Sequence, residues 1–67
     1  MVYRVRMPFV AVRSGGDGTF RFVSIEAGAV ITLKGQTQHS GLVEIHYAGE
    51  TVAAFMRDIQ DRCEPVD

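Results

Sequence analysis

Apolar and polar residues alternate along most of the chain, and the period is that of strands. Over residues 2–12, Tyr3, Val5, Met7, Phe9 and Ala11 share one parity, while Arg4, Arg6 and Pro8 take the other. A strand sends those two sets to opposite faces. Pro8 has no N–H to give to a ladder, so the strand bends there or runs along an edge. Residues 13–18 read Arg-Ser-Gly-Gly-Asp-Gly, a turn whose glycines supply positive-φ positions. Residues 19–25 are rich in β-branched and aromatic side chains, which suit a strand. Phe20, Phe22 and Ser24 face one way, and Thr19, Arg21, Val23 and Ile25 the other.

Glu26-Ala27-Gly28 ends that strand, and residues 29–33 open the next. Residues 34–41 read as a polar loop. In residues 42–47, Val43, Ile45 and Tyr47 oppose Leu42, Glu44 and His46. Ala48-Gly49-Glu50 is a short hairpin turn, and residues 51–55 form the return strand. The tail changes period. Phe55, Ile59 and Cys63 are spaced i, i+4, i+8, which predicts one or two helical turns limited by Pro65, with Ile59 packed over the open end of a barrel. Residues 64–66 complete a last short strand. The predicted core is Val5, Phe9, Phe22, Val30, Val43, Ile45, Val52, Phe55 and Ile59.

At 67 residues, the chain has room for one domain, spanning residues 1–67. Its 46% hydrophobic content and net charge of −1 exclude wholesale disorder. A domain of this size buries only about 60% of its unfolded surface, so self-association is one expected source of extra stability. Cys63 is the single cysteine, which removes any intramolecular disulfide and argues for a reducing, cytoplasmic setting. Residues 1–12 are interrupted by Arg4, Arg6 and Pro8, so they contain no signal-type apolar core. No run approaches the roughly 18 apolar residues that span a bilayer, and no membrane partner is expected.

Short strands with a helical turn before the last one resemble the SH3-like small β-barrel. The residues that carry the resemblance are 25–31 (Ile-Glu-Ala-Gly-Ala-Val-Ile), 41–45 (Gly-Leu-Val-Glu-Ile), Gly49, 52–55 (Val-Ala-Ala-Phe) and Asp58-Ile59. They look like the diverging-turn strand, the central hairpin and the terminal helical turn of that fold. The resemblance implies an all-β, five-stranded barrel. The acidic first loop and the tryptophan that mark peptide-binding SH3 domains have no counterpart here, so proline-rich ligands do not carry over.

Charge is unevenly spread. Residues 1–34 hold five basic side chains against two acidic ones, and residues 35–67 hold two against six. Either basic and acidic strands neutralise one another across the sheet, or the basic half meets a polar partner. In the second case Arg4, Arg6 and Arg21 would form a cationic strip, with Arg13 and His39 on nearby loops as further partner-binding residues. Small barrels with such a groove and interleaved aromatics hold single-stranded nucleic acid, although a pI near 6.0 is far from the basic range.

No spacing for catalysis or metal binding emerges. His39, His46 and Cys63 are the only borderline ligands and form no C-x₂-C or H-x₃-H pattern. His46 and Glu44 share a strand face as a solvated pair. Ser40 follows His39 directly, and neighbouring residues do not aim at each other as nucleophile and base must. Gly15-Gly16-Asp17-Gly18 joins strand to strand and lacks the lysine of a phosphate loop. The expectation is a non-catalytic interaction module without cofactor, binding a protein partner or itself, with a nucleic-acid-binding barrel as the alternative.

Overall fold

The computed structural model describes residues 1–14, 17–37 and 41–66. These form seven strands and one helix: β1 (Val2–Val5), β2 (Phe9–Ser14), β3 (Phe20–Ile25), β4 (Val30–Gln36), β5 (Leu42–Tyr47), β6 (Glu50–Phe55), α1 (Met56–Arg62) and β7 (Cys63–Pro65). The protein is all-β, with its strands in one antiparallel sheet of order β3-β2-β6-β5-β4-β1-β7. The sheet has seven strands rather than the expected five, and β3 and β7 are its edges instead of meeting to close a barrel.

Pro8 accounts for one of the added strands. The chain bends over Arg6 and Met7, so residues 2–12 divide in two. β1 then pairs with β4 and β7, while β2 pairs with β3 and β6. The bend is pinned to the end of α1. The Arg6 and Met7 N–H groups both donate to the Arg62 carbonyl, at 2.7 and 3.1 Å. The Arg62 guanidinium in turn donates to the Pro8 carbonyl at 3.2 Å.

β4 extends to Gln36, through positions the sequence pattern assigns to a loop. Its register against β5 shifts between Leu33 and Gly35, which leaves Lys34 as the extra residue of a bulge. The β5–β6 hairpin follows its pattern closely. Tyr47 pairs with Glu50 across a two-residue turn in which Ala48 has φ 51° and Gly49 φ 80°. Two positive φ values in succession match the twist of the flanking strands.

The core lies on one face of the sheet. Tyr3, Val5, Phe9, Ala11, Ile25, Ile31, Val43, Ile45, Val52 and Ala54 come from six strands, and Ile59 and Cys63 close one end. A single layer can bury one face only by curling upon itself, so the sheet is strongly coiled around this cluster. α1 contributes Ile59, which is fully buried as its spacing predicts.

Three residues of the predicted core are on the outside: Phe22 is 82% exposed, Val30 54% and Phe55 53%. Parity explains each. In β3 the inward set is Val23 and Ile25, with Ile25 paired to Phe9 and Val23 to Ala11, so Phe20 and Phe22 must point outward. In β4, Ile31 takes the inner face and Val30 the outer one. Phe55 is the last residue of β6, alternate to the buried Val52 and Ala54, and precedes the helix whose i, i+4 spacing reaches back to it.

Candidate interaction surface

The outward face of β3, β2 and β6 is apolar. Three cross-strand pairs build it into a row: Phe22 opposite Val12, Val12 opposite Ala53, and Ala53 opposite Glu44 of β5. Phe55 lies two residues beyond Ala53 on the same side of β6, opposite Leu42. Phe20 stands two residues before Phe22 on β3 and is 73% exposed. Val10, two residues before Val12, is 49% exposed. A phenylalanine presents about 150–250 Å². At these exposures Phe20, Phe22 and Phe55 leave roughly 300–500 Å² of ring in water, the size of the largest apolar patch on a typical monomer.

The surface is contoured. One depression, of about 370 Å³, is lined by Val12, Phe20, Leu42, Ala53 and Phe55 among others. A second, of about 410 Å³, shares Val12 and Phe55 with the first and is also lined by Pro8, Val10 and Phe22. Charged residues are among those that line both depressions. Glu44 borders the first depression, and Asp58 and Arg62 border the second. The latter two form an i,i+4 ion pair at 3.4 Å on α1.

The arginines do not gather into one strip. Arg4 has the outward parity of β1, between β4 and β7, opposite Val30 and Glu64. Arg21 sits on β3, at the far edge of the sheet, with the same parity as the inward-facing Val23 and Ile25. The strands of Arg4 and Arg21 are therefore neither adjacent nor presenting these residues on one face. Arg6 lies in the bend, and Arg13 is opposite Arg21. Arg13 forms a 2.7 Å ion pair with Glu50. His39 lies outside the described residues, as do its neighbours Gln38 and Ser40. The Arg13–Glu50 pair and the register neighbours Arg4 and Glu64 both join the basic half of the chain to the acidic half.

Other candidate groups have local roles. Asp58 and Asp61 go to separate i,i+4 pairs, with Arg62 and with Arg57 at 3.9 Å, so they do not converge. The Asp17 carboxylate accepts the Thr19 hydroxyl at 2.7 Å and the Thr19 N–H at 3.2 Å. These bonds, the hydroxyl foremost, hold its carboxyl below the usual carboxylate range. The Cys63 thiol is pushed up, first by burial and then by the nearby Asp58. His46 and Glu44 are both exposed on the outer side of β5. Among the described residues no helix is long and apolar enough to cross a membrane.

Comparison with family models, with curated proteins and with solved structures finds no match to this chain. What the chain does has therefore to be argued from its own surface.

Proposed function

We propose that this chain is a small, non-catalytic interaction module of the SH3-like type, which docks protein on the outer face of β2, β3 and β6. The observation that carries this is the placement of Phe20, Phe22 and Phe55 together on the outside of a domain this small. A folded chain gains by burying aromatic rings, and these three are the least covered of its large side chains near one another. Glu44, Asp58 and Arg62 line the two depressions together with mostly apolar residues, a mixed composition that suits a protein interface. Support for an SH3-like order comes from the glycine-containing connection between the paired strands β2 and β3, the tight β5–β6 hairpin, and the helix immediately before the last strand.

A nucleic-acid interface would draw on Arg4, Arg6 and Arg21, but Arg4 and Arg21 stand on separate strands with opposite parity, and Arg6 lies in the bend between β1 and β2. It is the weaker candidate for that reason. Two measurements decide between them. Selection from a displayed peptide library should enrich ligands for the native chain and not for a Phe20→Ser/Phe22→Ser variant. Titration with oligonucleotides at low salt should give no binding. The reverse pattern, steeply salt-dependent oligonucleotide binding with no enriched peptide, would overturn the proposal.

A further inference from the structure

We infer that a second copy of the chain joins this surface at its β3 edge, making a twofold dimer in which Phe22 stands opposite its own copy. The inference rests on the interaction-module proposal and names the partner. Four observations support it.

The two edges of the sheet are unlike. β7 is three residues long, ends on Pro65 and carries Glu64, features that discourage pairing with another chain. β3 is six residues long, Phe-Arg-Phe-Val-Ser-Ile, with no proline, lysine or acidic residue. One side of its backbone pairs with β2, and the other has no strand beside it among the described residues. Such an edge is a template for an added strand.

The register is restricted by charge and by shape. Two copies of one strand pair antiparallel about an axis normal to the sheet, and that axis passes through a single residue. An axis at Arg21 would set two guanidinium groups opposite each other. An axis at Val23 would set Phe20 against Glu26 of the partner subunit. An axis at Phe22 sets ring against ring, Phe20 against the partner's Ser24, and Arg21 against the partner's Val23. Aromatic cross-strand pairs stabilise, and like charges directly opposite do not.

The same axis keeps like face beside like face, so the outer apolar surfaces of the two copies run together. At 73% and 82% exposure, Phe20 and Phe22 bring roughly 230–390 Å² of ring per copy. The sides of these rings that face the twofold add to Val23, Ser24 and the strand backbone toward the ~800 Å² per partner of a standard interface. The chain also has few other means of stabilisation. It has no second cysteine for a disulfide, and its largest fully buried side chains are four isoleucines and one valine.

The test is a charge swap at Phe22. Wild type, Phe22→Glu, Phe22→Lys and an equimolar mixture of the two variants are compared by light scattering and sedimentation at equal concentration. Circular dichroism confirms the fold of each, and the exposure of Phe22 means that both variants should keep it. Expected are a dimer for wild type, association at least tenfold weaker for either variant alone, and a restored dimer in the mixture. Restoration requires that residue 22 meets residue 22. Dimers that survive either substitution alone would overturn the pairing. A monomeric wild type that still selects peptides through Phe20 and Phe22 would overturn the dimer and leave the interaction module standing. A monomer that selects none would end both.

Discussion

Val12 and Phe22 stand directly opposite one another in the β2–β3 ladder, on the side turned away from the core. Their neighbours Ala11 and Val23 are also opposite one another, on the side turned toward it. This hairpin therefore has two apolar faces, and the larger side chains are on the outer one. A ladder with Ala11 inside and Phe22 outside does not place its bulk to maximise burial within the monomer. The arrangement makes physical sense where another surface covers the outer face.

The two faces should respond oppositely to truncation. Ile45 is fully buried at the centre of β5 and packs into the main cluster. Ile45→Ala should cost about 2–5 kcal/mol through lost transfer energy and a residual cavity. Phe22→Ala, at an exposed position, should lie within about 0.5 kcal/mol of wild type when the protein is monomeric. Urea unfolding at low protein concentration measures both. A large loss at Phe22 under those conditions would show that β3 packs the other way round.

These two residues also show how far the fold can be read from the sequence. β5 was legible because only one of its faces is apolar at the centre: Val43 and Ile45 against Glu44 and His46. β3 was legible as a strand, but its orientation was not, since Phe20 and Phe22 compete with Val23 and Ile25 and the heavier pair is outside. The pairing of Ile25 with Phe9 decides the matter, and register between distant strands is not a local property of either. Phe55 failed for a different reason, because helical spacing from Ile59 reaches back into the last residue of β6. The interaction surface is not legible in the sequence for the same reason, since two of its three phenylalanines, Phe22 and Phe55, hold positions whose pattern reads as core. The Pro8 bend, the Leu42–Tyr47 strand and the burial of Ile59 followed directly from local chemistry.

The β5–β6 turn holds an alanine where the backbone favours other residues. Ala48 has φ 51°, a left-handed conformation in which the Cβ crowds the following carbonyl oxygen. Gly49, the second turn residue, meets its φ of 80° without strain. Ala48→Asn would give the Asn-Gly pair that two-residue hairpins prefer, and should raise stability by about 0.5–1 kcal/mol. Gly49→Ala should lower it by a similar amount. Thermal melts of the two variants, moving in opposite directions from wild type, check the assignment.

Arg13 and Glu50 join β2 to the start of β6 beside the lone ladder pair Val12 and Ala53, through an ion pair at 2.7 Å. Their side chains are 39% and 47% exposed, so water and salt screen the attraction. A double-mutant cycle of Arg13→Gln and Glu50→Gln should give a coupling of about 0.2–1 kcal/mol at low salt. In ~1 M salt, where the screening length is near 3 Å, the coupling should largely vanish. A coupling that persists at high salt would mean that the pair is shielded more than its exposure indicates.

The Cys63 thiol links stability to alkaline pH. Cys63 begins β7 directly after α1, donates its N–H to the Ile59 carbonyl, and belongs to the buried cluster. Burial, with a smaller contribution from Asp58, raises the thiol above its ordinary value in the folded chain. A folded pKa above the unfolded one means that the folded state holds the proton more tightly. Its contribution to stability is therefore complete below the unfolded thiol pKa, near 8.5. It declines as pH rises from there through the folded value. Urea midpoints measured between about pH 7 and 10 should fall more steeply for wild type than for Cys63→Ala, whose lost packing lowers every point without changing the slope. The folded protein should also react slowly with a thiol reagent at neutral pH, and Asp58→Asn should speed that reaction modestly by removing the smaller of the two causes. Parallel pH profiles for wild type and Cys63→Ala would show that the thiol titrates alike in both states and that its burial has no bearing on alkaline unfolding.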